Sequence, residues 1–244
     1  MQYRNIRGVI FDLGSTLIEF EHRPWPEITQ EAQEAGYRQL AEHNGGIPDF
    51  DTFNNRLEEI KNEFREMAMK TLKEWKINTA FEKLLMEFEI RDPIEQSNKF
   101  VATFYEIVRN GITLCDGVYE TLSGLKECGI PMGIISNTIF PGDEHDVDLV
   151  NYEIMQYFDF RIYSYDFGWR KPWPDIYRYG LKLIDLPPEN TVYVGDRFIE
   201  DVLGPQELGM NGVLKYREGR EYPEPMPDGF PVIHRLDELL KIIA

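Results

Sequence analysis

The chain has 244 residues, of which 42% are hydrophobic and 28% charged, a composition typical of a folded globular protein with a sizeable buried core. Its 43 acidic and 26 basic side chains give a formal net charge of −17, which argues against partners such as nucleic acids and anionic membranes. No secretory pattern or bilayer-spanning apolar run is evident, and Cys115 and Cys128 lack metal-binding spacing, so we expect a cytoplasmic protein.

The first predicted element is a short apolar run, Val9-Ile10-Phe11, that ends abruptly at Asp12. Continuous apolar runs of this kind are typical of strands buried on both faces of a parallel sheet. In such sheets, ligands bind beyond the carboxyl ends of the strands. A carboxylate there can act as a nucleophile or hold a hard cation, although an Asp that merely opens a turn is also common. Asp12 is therefore the first candidate functional residue.

The next ninety or so residues carry helical patterns and no pattern typical of a strand. The clearest helix runs from Phe53 to Met67, where apolar side chains recur at intervals of three and four. One helical pattern precedes it and two shorter ones follow, the last ending at Asn110-Gly111. We predict a small antiparallel helical bundle whose aromatic and Met side chains form its own core.

From Asp116 onward, predicted strands and helices alternate, which indicates a doubly wound parallel sheet. Ser136 and Asp196 directly follow two of these strands, as Asp12 follows the first. Because parallel strands end at one edge of a sheet, we expect these three side chains to converge. Strands are predicted at 132–135, 160–163, 191–194 and 212–214, with a short edge strand at 231–233, and helices at 118–128, from about 174, and at 236–243.

Two features of this region receive no functional role. The acidic run from Asp143 to Asp146 is predicted to be a solvated loop, and His145 within it has no metal-binding spacing to another histidine. Trp169 and Trp173 flank Lys171 and are predicted to pack between structural units, with stacking on a substrate ring as the alternative.

Four short motifs occur along the chain, each at the end of a predicted strand or the start of a helix. They are Asp12-Leu13-Gly14-Ser15-Thr16, Ser136-Asn137, Lys171-Pro172, and Gly195-Asp196 with Asp201. In this order the motifs resemble those of the haloacid dehalogenase (HAD) superfamily. The resemblance implies an α/β fold: a doubly wound parallel sheet, the HAD-like Rossmannoid core, with a smaller all-helical cap domain. The core would comprise residues 1–16 and 112–244, and the inserted cap residues 17–111.

The resemblance also implies a function for the motifs, that of a Mg²⁺-dependent phosphatase acting on a small phosphorylated metabolite. Asp12 would be the nucleophile that forms an aspartyl-phosphate. Mg²⁺ prefers a few oxygen ligands, and without a cation the clustered carboxylates would repel one another. The implied catalytic residues are Asp12, Ser136 and Lys171, the phosphate-binding residues Ser136, Asn137 and Lys171, and the metal ligands Asp12, the Gly14 carbonyl, Asp196 and Asp201.

Gly14 departs from the pattern, because phosphatases of this superfamily usually carry there a second Asp that acts as general acid and base. The backbone carbonyl of Gly14 can still bind the metal, whereas loss of a general acid typically costs about 10²–10⁴ in rate. Three residues at the entry to the insert are candidate replacements that a closing cap could bring over the site: Glu19, Glu21 and His22.

Two alternatives stay open. A metal-independent 2-haloacid dehalogenase-type hydrolase would use Asp12 to attack carbon, and a residue other than Asp at position 14 fits that chemistry. Asp196 and Asp201 argue against it, because carboxylates without a metal would add negative charge where a halide must leave. The second alternative is a catalytically weak HAD-like protein that binds a phosphate or a partner. Gly14 is the single feature of the motifs that supports it. The sequence defines neither the substrate nor the oligomeric state.

Overall fold

The structure is a computed structural model that describes residues 2–20 and 23–243. Along this part of the chain the strands are β1 (Gly8–Phe11), β2 (Ile18–Glu19), β3 (Thr113–Leu114), β4 (Met132–Ser136), β5 (Phe160–Tyr163), β6 (Thr191–Gly195), β7 (Asn211–Lys215) and β8 (Val232–Ile233). Six of them form one parallel sheet in the order β5-β4-β1-β6-β7-β8, which confirms the predicted doubly wound sheet and its short edge strand.

The helices fall into two groups along the chain. The first four lie between β2 and β3, which pair as a separate antiparallel ladder where the chain leaves and re-enters the sheet domain. They are α1 (Trp25–His43), α2 (Phe50–Thr71), α3 (Ile77–Glu87) and α4 (Pro93–Arg109). The second group is α5 (Val118–Glu127), α6 (Gly142–Asn151), α7 (Ser164–Phe167), α8 (Pro174–Ile184), α9 (Gly204–Gln206) and α10 (Leu239–Ile242).

Both faces of the central strand β1 are covered by apolar layers. Val9 and Phe11 belong to the cluster on one face, together with side chains of α5 and α10. Ile10 points to the other face, where it packs in a cluster with Tyr193 and with Ile176 of α8. A strand covered on both sides must be apolar at successive positions, which explains the unbroken run in the sequence.

The inserted helices α1–α4 pack around an apolar cluster of their own, in which Phe53 stacks on Phe100 at a centroid distance of 6.0 Å. The prediction that Met67 belongs to this core is wrong, because Met67 is 61% exposed and the neighbouring Ala68 is buried instead. The cluster also includes Phe140 from the sheet domain, so the two apolar units touch.

The predicted solvated loop at 143–146 is wrong, because these residues lie in helix α6. Asp143 and Glu144 occupy its first turn, where negative charge is favourable to a helix. His145 faces inward and is buried. Within the described ranges, no helix is both long enough and apolar enough to cross a membrane.

Candidate active site

The carboxyl edge of the sheet brings three of the predicted site residues together. Asp12 directly follows β1, Ser136 ends β4, and Asp196 directly follows β6. The strands are in register at this edge, since Phe11 pairs with Ile134 of β4 and with Val194 of β6. Asp12 is one residue past this level and Ser136 and Asp196 are two residues past it, so the three polar side chains leave the sheet within one residue of each other.

Lys171 links this edge to the turn that carries Asp201. Its buried Nζ donates to Asp12 Oδ1 at 2.7 Å, to Asp201 Oδ1 at 2.6 Å and to the Tyr193 hydroxyl at 2.8 Å. Asn137 fixes the backbone of Lys171, because its Oδ1 accepts from the Lys171 N–H at 2.7 Å and its Nδ2 donates to the Lys171 carbonyl at 3.0 Å. The Asn137 side chain is thus occupied in positioning Lys171.

Three buried carboxylates form a compact group at this point. One oxygen from each of Asp12, Asp196 and Asp201 lies within 4.8 Å of the other two. Asp201 belongs to a π-helical turn, Phe198–Leu203, and its Oδ2 accepts from the Arg197 N–H at 2.8 Å. Asp196 Oδ2 contacts the guanidinium of Arg220 but accepts no hydrogen bond from any described residue.

Burial and mutual repulsion act together on this group. Burial raises the pKa of Asp196 and of Asp201, and the nearby charge of Asp12 raises both pKa values further. Burial opposes the charge on Lys171, but Asp12 and Asp201 outweigh it and raise the pKa of Lys171 above its ordinary value. Clustered carboxylate oxygens of this kind fit a hard divalent cation such as Mg²⁺.

A cavity of about 380 Å³ opens above these groups, between the sheet edge and the inserted helices. Its charged lining differs from the strongly acidic chain as a whole, because four Lys and Arg side chains face three carboxylates. The bases are Arg170, Lys171, Arg197 and Arg220, and the acids are Asp12, Glu74 and Asp196. Such local positive charge is what a phosphate site on an acidic protein requires. The apolar wall includes Phe20, Trp25, Val108, Ile139 and Phe140.

Several of these lining residues were not anticipated from the sequence. Arg170 directly precedes Lys171, so its position next to a motif was the available signal. Glu74 and Arg220 come from connecting segments and carry no comparable signal. Trp169 and Trp173 stack on each other at 4.3 Å, and the tryptophan that lines the cavity is Trp25.

A buried polar network joins α4 to α6 beside the cavity. The Tyr105 hydroxyl donates to Asp148 Oδ2 at 2.5 Å and lies 2.7 Å from His145 Nδ1. His145 Nε2 lies 2.7 Å from Thr138 Oγ1, and Arg109 Nε donates to Asp148 Oδ1 at 2.8 Å. These contacts give a structural role to a histidine that the sequence left without one.

The three candidate replacements for an acid at position 14 differ in what the structure says of them. Glu19 lies on β2 and pairs with Arg217 at 3.1 Å, and it does not belong to the cavity lining. Glu21 and His22 lie outside the described residues. Gly14 lines the cavity with a backbone outside the left-handed region, and a Cβ added to it would lie 3.2 Å from Phe20 Cε2.

The sequence matches the family of haloacid dehalogenase-like hydrolases over residues 48–214. The chain therefore belongs to this family of enzymes. Among named relatives, a glyceraldehyde 3-phosphate phosphatase from Pyrococcus furiosus is 26% identical over 98% of this chain and 94% of its own length. A glyceraldehyde 3-phosphate phosphatase from Methanocaldococcus jannaschii is 36% identical over 51% of this chain and 54% of its own length.

Solved structures agree with the fold over almost the whole chain. A HAD phosphatase from Thermococcus onnurineus has a TM-score of 0.67 at 24% identity and covers 97% of both chains. A 2-haloacid dehalogenase from Pseudomonas syringae has a TM-score of 0.68 at 22% identity and covers 99% of this chain and 98% of its own. At this identity the two likenesses establish the architecture and do not choose between the two chemistries.

Proposed function

We propose that this protein is a Mg²⁺-dependent phosphatase that hydrolyses a small organic phosphate through an aspartyl-phosphate on Asp12. The observation that carries the proposal is the position of Lys171 Nζ, which bridges Asp12 and Asp201 while Asp196 completes the carboxylate group. Two cationic side chains, Lys171 and Arg220, contact these three buried carboxylates, so one negative charge is left over, which is costly unless a further cation binds there. A metal-bound site of this kind also attracts the anionic phosphoryl group.

Each side chain has a role that its chemistry permits. Asp12 attacks phosphorus, Ser136 donates a hydrogen bond to a phosphoryl oxygen, and Lys171 neutralises charge on the group being transferred. Asn137, next to Ser136, contributes to the phosphate site chiefly by holding Lys171. The ligands proposed for Mg²⁺ are Asp12, Asp196, Asp201 and the Gly14 carbonyl, and the bound ion supplies charge neutralisation at the phosphate.

A small phosphorylated metabolite suits the size of the cavity and its four basic residues. The relative from Pyrococcus furiosus is named for glyceraldehyde 3-phosphate, which makes that compound the first substrate to test. The strong net negative charge argues against nucleic-acid and membrane partners. A cytoplasmic location remains part of the proposal.

Hydrolysis of p-nitrophenyl phosphate and of glyceraldehyde 3-phosphate, measured with Mg²⁺ and after treatment with a chelator, tests the proposal. We expect activity that requires the metal. Asp12→Asn should abolish turnover in a protein that still folds, because the amide keeps the volume and loses the nucleophile. Asp196→Asn should weaken Mg²⁺ binding in calorimetry and activity together. Full activity in Asp12→Asn would remove Asp12 from the mechanism.

The same assays separate the two alternatives. Chloride release from a 2-chloro acid in the presence of chelator would establish the dehalogenase-type reaction on Asp12. Binding of inorganic phosphate without turnover of any phosphate ester would instead indicate a binding protein. Gly14 is compatible with either outcome, whereas the compact carboxylate group favours the metal-dependent reaction.

A further inference from the structure

Gly14 leaves the proposed reaction without an obvious proton donor, and the inference below rests on the proposed phosphatase function. When a phosphate ester of an ordinary alcohol is cleaved, the leaving oxygen departs as a poor alkoxide unless it is protonated. Glyceraldehyde 3-phosphate, for which the relatives are named, is an ester of this kind. A donor elsewhere in the cavity is therefore required if this chain acts on such a substrate.

The acids of the cavity lining leave one candidate within the described residues. Of the three lining carboxylates, Asp12 is the proposed nucleophile and Asp196 a proposed metal ligand, so Glu74 alone has no role. His145 also lines the cavity, but each of its ring nitrogens lies 2.7 Å from another side chain of the buried network. Its position is accounted for by that network.

Glu74 is delivered to the cavity by a fixed segment between α2 and α3. Lys73 and Trp169 form an antiparallel bridge there. The Glu74 N–H donates to the Gly168 carbonyl at 3.0 Å, and the Arg170 N–H donates to the Leu72 carbonyl at 2.9 Å. The segment is thus hydrogen-bonded to the stretch that leads directly into Lys171, so the cap places Glu74 against the core part of the site.

The environment of the Glu74 side chain suits a proton donor. It is 1% exposed, its Oε2 accepts from Ser164 Oγ at 2.6 Å, and its Oε1 lies 3.5 Å from the Arg170 guanidinium. Burial raises the pKa of Glu74, and the opposing effects of Arg170 and Ser164 are smaller. An acid whose pKa moves toward the working pH is the more effective general acid.

We infer that Glu74 is the general acid and base that replaces the carboxylate missing at position 14. In the first step a bond forms between an Asp12 carboxylate oxygen and phosphorus, the bond to the leaving oxygen breaks, and the Glu74 proton passes to that oxygen. In the second step a water oxygen bonds to phosphorus as the bond to Asp12 breaks. One proton of that water returns to Glu74, inorganic phosphate leaves, and both carboxyl groups are restored.

The test is the dependence of kcat/KM on the pKa of the leaving group, measured for a series of aryl and alkyl phosphates with Mg²⁺. Glu74→Gln preserves the shape of the side chain and an oxygen that can accept from Ser164. We expect a loss of about 10²–10⁴ for alkyl phosphates and of less than about tenfold for p-nitrophenyl phosphate. The variant should therefore show a much steeper dependence than the parent protein.

Two further variants separate proton donation from a structural effect. Glu58→Gln removes another carboxylate of the cap, one that pairs with Lys61 at 2.5 Å and lies outside the cavity lining, and it should leave the dependence unchanged. Adding Gly14→Asp to Glu74→Gln should restore the shallow dependence, because the Cβ of the new side chain needs only a small shift of the Phe20 ring.

The outcomes distinguish failure of this inference from failure of the proposed function. If the parent protein hydrolyses no phosphate ester with Mg²⁺, the phosphatase function itself fails. If the parent is active and Glu74→Gln lowers kcat/KM equally for all substrates, or for none of them, Glu74 is not the proton donor. If Glu74→Gln does not fold, the single variant Gly14→Asp decides. An unchanged dependence of kcat/KM on the leaving-group pKa supports a general acid already present in the parent protein. A marked flattening of that dependence contradicts the inference.

Discussion

Lys171 Nζ lies 2.6 Å from Asp201 Oδ1, and neither side chain is exposed to solvent. The same nitrogen also reaches Asp12, so one buried cation compensates part of the charge of two carboxylates. Removing one partner of a buried ion pair leaves the other partner uncompensated, which is usually far more costly than losing a surface pair.

Lys171→Met should therefore lower the free energy of unfolding by about 3–5 kcal/mol and abolish activity. Mg²⁺ should recover part of the lost stability, because a bound cation compensates the same carboxylates. Urea unfolding with and without Mg²⁺ measures both effects. The control is Lys61→Met, at a buried lysine that pairs with Glu58 in the cap, which should show no response to the metal. An equal response in both variants would contradict this account.

Tyr193 supports Lys171 from below the site. Its hydroxyl accepts from Lys171 Nζ at 2.8 Å and donates to the Ile135 carbonyl at 2.7 Å. Tyr193→Phe leaves both groups short of a partner, so we expect a loss of about 1–3 kcal/mol in stability. The fall in activity should be smaller than in Lys171→Met, since Asp12 and Asp201 still hold the lysine. In Tyr177→Phe, where the hydroxyl contacts the Glu200 carbonyl, we expect no comparable fall in activity.

The raised pKa of Glu74 implies a pH dependence of the free energy of unfolding that can be tested without measuring catalysis. Because burial raises this pKa in the folded state, the folded protein binds the proton more tightly than the unfolded chain. The stabilisation from this proton is complete below the unfolded pKa and is lost as the pH rises through the folded pKa. The free energy of unfolding of Glu74→Gln, relative to the parent, should thus increase with pH across that window.

Chemical denaturation at several pH values from acid to neutral gives this comparison. Glu58 provides a control of opposite sign, because Lys61 and Gln33 outweigh the effect of burial and lower its pKa. Relative to the parent protein, Glu58→Gln should lose stability as the pH rises through the lowered folded pKa of Glu58. The same trend in both variants would show that Glu74 is not held in the surroundings described.

The ladder between β2 and β3 suggests where the cap can be removed. Ile18 pairs with Leu114, and Leu17 and Ile112 are buried in the core cluster, so the junction lies just outside them. Residues 20–111 can be replaced by a short Gly-Asn linker. Phe140→Ser then removes the apolar side chain that would lose its contacts with the deleted helices. This variant should give a folded core that binds Mg²⁺. Its selectivity among phosphate esters should be lost. Aggregation in size-exclusion chromatography would mean that cap and core share one continuous core.

The parts of the molecule that the sequence predicted are those with a local physical cause. The β1 strand had to be apolar at Val9, Ile10 and Phe11 because both faces are covered. Asp12 and Asp196 stand out in the sequence because a charged residue directly after such a strand lies at the carboxyl edge of the sheet, where ligands bind. Patterns of this kind survive in any tertiary context, so they can be recognised without a structure.

The residues that escaped prediction depend on contacts between distant segments. Glu74 meets Ser164 only because the segment between α2 and α3 packs against the end of β5, and Arg220 reaches Asp196 from the long connection between β7 and β8. His145 was placed in a loop because its neighbours are acidic, whereas those acids stabilise the start of a helix. A pattern within a window of ten or twenty residues cannot predict contacts between segments that lie far apart in the sequence.

The contrast between a lining with four bases and three acids and a chain of net charge −17 has a kinetic consequence. A phosphate dianion approaching from bulk solvent meets repulsion until it is within roughly 10 Å of the cavity, the Debye length at moderate salt. Added salt shortens the reach of that repulsion more than it weakens the short-range contacts inside. Substrate capture should accordingly quicken as ionic strength rises, the reverse of an enzyme that draws its substrate in by long-range attraction.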